Sequence, residues 1–154
     1  MTDTQKKPLW KNELVWLFLL TSGLFAILYS KFILGGYAYV FTDTGADTMQ
    51  INYAQYGLFS SLFRSGESGY VLQAGLGMDV SSYYPAYLIP YNLLILLAPQ
   101  RLLPWAVLAS AYLKMITISL VGYLFYRKLM QDGIGTMAAA LAWTFSGYVI
   151  LWGQ

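Results

Sequence analysis

An all-α, polytopic helical membrane protein is the fold class this sequence predicts, and three observations predict it. Of 154 residues, 58% are hydrophobic and only 10% charged, whereas a soluble domain carries roughly 25% charged residues. Three stretches, 14–34, 102–126 and 136–154, are apolar over lengths suited to the ~30 Å hydrocarbon core of a bilayer. The charges between them are sorted, with lysines before the first stretch and acids after it. Nine Lys and Arg and seven Asp and Glu are too few to build a solvated shell, so the apolar excess faces lipid. The absence of Cys excludes a disulfide-stapled secreted domain, and the absence of His as well removes the usual zinc ligands. No basic stripe of the kind that binds nucleic acid is present.

The first span is justified by Leu14 to Ser30, which holds no charge and reaches roughly 26 Å at about 1.5 Å per residue. Phe32, Ile33 and Leu34 extend it past a snorkelling Lys31. A cleavable signal peptide would need a shorter apolar core and small residues at its end, where bulky Tyr29, Lys31 and Phe32 stand instead. Lys6, Lys7 and Lys11 precede the span, and beyond Lys31 the next basic residue is Arg64. The positive-inside rule therefore puts 1–13 in the cytoplasm and 35–85 outside.

Segment 35–85 is rich in Gly and carries Asp43, Asp47, Glu67 and Asp79 against a single Arg64. It reads as an extracytoplasmic loop. A loop of that length is expected to hold structure of its own, and Ile51, Ala54, Leu58, Ser61 and Leu62 recur at three- and four-residue steps, predicting a membrane-parallel helix over 48–63. Asp47 or Thr48 would be its N-cap. The Gly75-Leu76-Gly77-Met78-Asp79 turn lacks the Lys-Ser/Thr ending of a phosphate loop, so its glycines serve a tight backbone turn.

Residues 86–98 are apolar but short and contain Pro90, which suits a re-entrant or interfacial segment better than a span. If they do not cross, Arg127 and Lys128 fall in the cytoplasm as the positive-inside rule prefers; if they do, Arg101 is better placed. The first option is favoured. Residues 102–126 form the second span, with Lys114 near its middle, and 127–135 a cytoplasmic hinge with Gly133 and Gly135 between antiparallel helices. The third span, 136–154, ends without a polar tail, as expected of the N-terminal piece of a longer bundle; a small complete three-span protein is the alternative.

Few residues are candidates for chemistry. Asp47 places a carboxylate just outside the first span, where it could serve as general base toward a substrate at the bilayer surface, or simply cap its helix. Asp43 could share a divalent cation with it, but two carboxylates in a flexible loop do not define a metal site, and no cofactor is expected. Lys114 is an ionisable group at mid-span, costing on the order of 2.5–3.5 kcal/mol on insertion scales. It would either meet an anion such as a lipid phosphate or snorkel and pair within the bundle. Tyr83, Tyr87 and Tyr91 share a helical face as an interfacial aromatic belt or a sugar-stacking platform.

Asp47 with Gln50, Tyr53, Gln55 and Tyr56, then Gly75-Leu76-Gly77, Tyr84, Pro90-Tyr91-Asn92-Leu93-Leu94, Leu113-Lys114 and Ser146-Gly147-Tyr148 together resemble the N-terminal region of the bacterial YfhO family, which is similar to the GT-C class of glycosyltransferases. No single motif is specific; their order and spacing carry the resemblance from about Thr42 onward. It implies a GT-C-like N-terminal portion in the bacterial cytoplasmic membrane. The reaction implied is transfer of a sugar from a polyprenyl-phosphate donor to an extracytoplasmic cell-wall polymer such as lipoteichoic acid. Asp47 matches the acidic catalytic position in the first external loop, and Tyr53 and Tyr84 are implied to bind substrate. A role for Lys114 in steadying the departing phosphate is an inference beside the resemblance. Family members are several times longer, so a chain of this length alone is expected to be inactive. A transporter or flippase-like protein, with Lys114 holding an anion at mid-depth, and a non-catalytic membrane subunit are the readings from other classes.

Overall fold

The computed structural model describes residues 12–39, 52–66, 70–72, 77–79, 89–130 and 132–152, and 79% of these are helical. Among them are helices α1 (Glu13–Leu28), α2 (Ser30–Leu34), α3 (Tyr53–Ser65), α4 (Leu93–Leu97), α5 (Leu103–Leu129), α6 (Gly133–Thr144) and α7 (Gly147–Trp152). A two-residue ladder pairs β1 (Tyr70–Val71) with β2 (Met78–Asp79). The chain divides into two compact units, one of Met1–Gly35 with Lys114–Gln154 and one of Gly36–Leu113. Helix α5 contributes to both.

In the first unit, Asn12 starts α1 by accepting the Leu14 N–H on its side chain at 3.0 Å, satisfying one of the donors a helix start leaves open. Glu13 is the one charge in α1, and the rest is apolar on every side, as in a helix meant for a fully apolar setting. Leu17, Thr21 and Phe25 are buried, while Phe18, Leu19 and Ile27 are exposed. The stretch expected as one span is interrupted at Tyr29. There the φ/ψ pair leaves the helical well, the Tyr29 N–H bonds the Phe25 carbonyl at 2.9 Å, and the two rings stack at 4.3 Å. Helix α2 resumes at once and closes on Gly35.

Leu17, Tyr123 and Ala140 form the core of this unit, with Tyr126, Met137 and Leu141 packed on it, so α1, α5 and α6 meet there. Gly122 lies against Ala140, small residues that let two helix backbones approach without a hydrophobic driving force. The expected hinge over 127–135 is shorter than its composition suggested. Arg127 and Lys128 sit in the last turn of α5, where cations complement the partial negative charge of a helix C-terminus. Asp132 already caps α6, accepting from Ile134 N–H at 3.2 Å and Gly135 N–H at 2.7 Å. The apolar run expected from 136 onward is likewise two helices. Ser146 accepts the Val149 N–H on its Oγ at 3.4 Å and so opens α7, the capping role for which Ser competes with helix interior positions.

In the second unit, Phe59, Leu62, Val71 and Leu96 make a core against which Leu58 packs. The Ser60 hydroxyl donates to the Ala98 carbonyl, tying α3 to the end of α4. The described part of the helix expected over 48–63 begins at Asn52 and continues two residues past Phe63, to a stop at Gly66 with φ +72°, the left-handed closure that glycine supplies. Asp47 and Thr48, its expected caps, lie outside the described residues. Among the described residues the ladder of β1 and β2 is the one strand pairing: Tyr70 pairs with Asp79 and Val71 with Met78. Gly77 beside it has φ +105°, and the Tyr70 ring occupies the space its Cβ would take. Of the segment expected over 86–98, a turn across 89–92 leads into the five-residue α4, about 7.5 Å long. A 3-10 turn at Gln100–Leu102 then runs into α5. Gln100–Leu129, 30 residues with mean hydropathy 1.6, is the one helical stretch among the described residues long and apolar enough to cross a membrane; α1 is a shorter apolar helix.

Candidate functional site

Lys114 stands near the middle of that stretch, twelve residues after Leu102 and fifteen before Leu129. It is half-buried, and no carboxylate among the described residues comes within ion-pair distance of it. A cation so placed is costly unless something anionic or aqueous meets it. Over the next three turns α5 and α6 enclose a groove of about 500 Å³, running from Thr117 through Ile118, Val121 and Phe125 to Tyr126, with Trp143 across from them. Its volume is that of a small-ligand pocket, and its walls are almost wholly apolar.

Tyr53 occupies the first turn of α3. Its hydroxyl donates to the Tyr39 carbonyl at 3.1 Å, and its ring meets Tyr56 edge-on at 6.3 Å. Burial, with the Tyr56 phenol adding to it, pushes the Tyr53 hydroxyl up to about 12. The phenol is therefore a proton-bearing donor at neutral pH, its proton already on the backbone, with only its oxygen lone pairs left for a substrate. Asp47, Asp43 and Tyr84 lie outside the described residues. Among the described residues no group of three or more His, Cys, Asp or Glu is placed to hold a metal ion.

Two polar clusters escaped the sequence reading. Glu13 receives the Tyr123 hydroxyl at 2.5 Å and the Arg127 guanidinium at 3.3 Å, so one carboxylate fastens the start of α1 to the end of α5. The Glu13 carboxylate occupies the space a Cβ on Gly133 would take, so a side chain there would have to displace it. About one turn before Tyr123 on α5, Ser119 Oγ and Thr21 Oγ1 share a hydrogen bond of 2.9 Å, both buried. Glu13 was legible as the single acid at the head of the first apolar run, and Arg127 as a basic residue at the foot of the second. Ser110 Oγ is buried without a hydrogen-bond partner among the described residues.

The described residues thus define a mainly helical chain with one helix fit to cross a membrane and one cation, Lys114, near the middle of that helix. No family model, curated protein or solved structure matches the sequence.

Proposed function

We propose that this chain belongs to a GT-C-like, YfhO-type glycosyltransferase of the bacterial cytoplasmic membrane. It supplies membrane spans of that enzyme, and the intact enzyme moves a sugar from a polyprenyl-phosphate donor to an extracytoplasmic polymer such as lipoteichoic acid. The observation that carries this reading is Lys114, a cation in the one helix long enough to span, with no anionic partner among the described residues. The N-terminus lies in the cytoplasm and 35–85 outside, with three crossings formed from 14–34, 102–126 and 136–154. Large exposed side chains on α1 and α5, among them Ile27 at 71% and Val121 at 60%, support a lipid setting. The shortness of α4 supports a segment that does not cross.

In the reaction, Asp47 takes the proton of the acceptor hydroxyl while that oxygen bonds to the anomeric carbon of the sugar. The bond from that carbon to the phosphate oxygen breaks, its electron pair leaving on the phosphate, and Lys114 offsets the charge. Tyr53 and Tyr84 contact the substrate. Asp47→Asn in the intact protein, expressed at the normal level, should abolish glycosylation of the cell-wall polymer. Unchanged glycosylation removes Asp47 as the base and leaves anion transport through Lys114 as the competing reading.

A further inference from the structure

Two basic residues close α5, and their surroundings differ. Arg127 turns toward α1, where its guanidinium meets Glu13 at 3.3 Å. Asp132, the acid that follows in the chain, is engaged at the start of α6, accepting from the Ile134 and Gly135 N–H groups. Lys128 is exposed, and no carboxylate among the described residues comes within ion-pair distance of it. It follows Val121 by seven residues and Phe125 by three. At about 100° per residue it stands roughly 20° and 60° from them, on the groove side of α5, whereas Arg127 lies roughly 120° from Val121. Helical side chains lean toward the N-terminus, which brings the Lys128 ammonium back over the Phe125 end of the groove. From there the groove runs into the span over roughly 14 Å, from Tyr126 to Thr117. Val121, Phe125 and Trp143, each at least half exposed, line it.

We infer that the groove holds one acyl chain of an anionic lipid from the leaflet at this end of α5, with the lipid phosphate outside the groove against Lys128. In the topology proposed above that leaflet is the cytoplasmic one. The groove then takes hydrocarbon alone, which its apolar walls suit. The head group stays at the interface, where an ammonium and a phosphate meet without either leaving water. A zwitterionic lipid carries its own cation beside the phosphate and gains less from Lys128. The inference rests on α5 crossing the bilayer, which the proposed function shares, and uses neither Lys114 nor glycosyl transfer.

The test is photo-labelling of the intact protein in vesicles of phosphatidylcholine containing a minor share of phosphatidylglycerol. In one preparation a trace of phosphatidylglycerol carries a diazirine in its acyl chain; in a second, an equal trace of phosphatidylcholine does. Labelled residues are mapped by mass spectrometry after irradiation. At Val121, Phe125 and Trp143, label from phosphatidylglycerol should exceed label from phosphatidylcholine several-fold. At Phe18 and Leu19, exposed on α1, the two should be equal. Lys128→Met should bring the ratio in the groove down to that on α1, and Lys128→Arg, which keeps the charge, should retain the excess. Equal ratios in the groove and on α1 in the unsubstituted protein overturn the inference, as does an excess that survives in Lys128→Met. A groove that takes no label from either lipid while α1 is labelled is filled by protein, which overturns the inference and leaves the membrane setting standing. No label on either face overturns the membrane setting with it.

Discussion

The hydroxyl pair of Thr21 and Ser119 is the sharpest place to measure what holds α1 against α5. Thr21 is wholly buried and Ser119 is 1% exposed, and their oxygens lie 2.9 Å apart. Thr21→Val keeps the shape and removes one hydroxyl; Ser119→Ala removes the other. Each single change leaves a buried hydroxyl without its partner, which costs about 1–3 kcal/mol in a protein interior. The cost falls toward the lower figure here because each orphan sits in a helix and can turn back to the carbonyl four residues earlier, at Leu17 or Met115. Interhelical hydrogen bonds in membrane bundles couple by about 0.6 kcal/mol on average and at most about 1.7. The double variant should therefore lose less than the sum of the singles by about that amount. Reversible unfolding in mixed detergent micelles, followed by far-ultraviolet circular dichroism, yields the four free energies of the cycle. Strict additivity, within about 0.3 kcal/mol, would refute the bond and with it the pairing of these helix faces.

Other outcomes follow from the same geometry. The Tyr53 phenol, raised to about 12 against roughly 10 in an unfolded chain, keeps its proton longer when folded. Its contribution is therefore whole below pH ~10 and is lost as pH rises through ~12. Tyr53→Phe should remove a late-titrating component from the tyrosinate absorbance, and an unaltered titration would count against a buried phenol. Gly77→Ala must force a side chain into a φ of +105° and against the Tyr70 ring, costing more than about 1 kcal/mol. Limited proteolysis should find the strand pair open, and equal resistance would mean the turn is shaped otherwise. Glu13→Ala strips partners from Tyr123 and Arg127. With Arg127 and Glu13 side chains 43% and 36% exposed, the ion-pair part is worth about 0.2–1 kcal/mol, and loss beyond that would belong to the Tyr123 bond.

The helices were legible where composition alone decides them. Residues 102–126 read as one long helix because twenty-odd apolar positions leave a chain in lipid no other way to satisfy its backbone, and α5 covers them. The ends were less legible, because charge carries two meanings. Arg127 and Lys128 looked like the start of a polar hinge, yet at a helix C-terminus they are favourable residues and extend it. The interruptions at Tyr29 and Ser146 fall inside apolar runs, where hydropathy does not register a cap or a ring stack. The strand pair was hidden for another reason: two residues a side show no alternation, and what fixes them is the φ of Gly77 and the fit of Tyr70 over it. Of the candidate site, Lys114 was visible as an anomaly in its run, whereas the Tyr53 bond to Tyr39 joins residues whose approach depends on how the chain turns between them. The groove was invisible because Val121, Phe125 and Trp143 are ordinary apolar residues until two helices place them together.

A cation held within the bilayer, as proposed above, requires that α5 cross it. The chain contains no cysteine, so single cysteines at Ser65 and at Gln131 in the intact protein can be labelled from outside with a membrane-impermeant maleimide without background. Labelling of intact cells at Ser65, and at Gln131 only after the membrane is opened, is the expected result. Equal labelling of both positions from one side would mean an even number of crossings between them, with 86–98 crossing as well as α5 or neither crossing, and would contradict the reading of 86–98 as a segment that does not cross while α5 does.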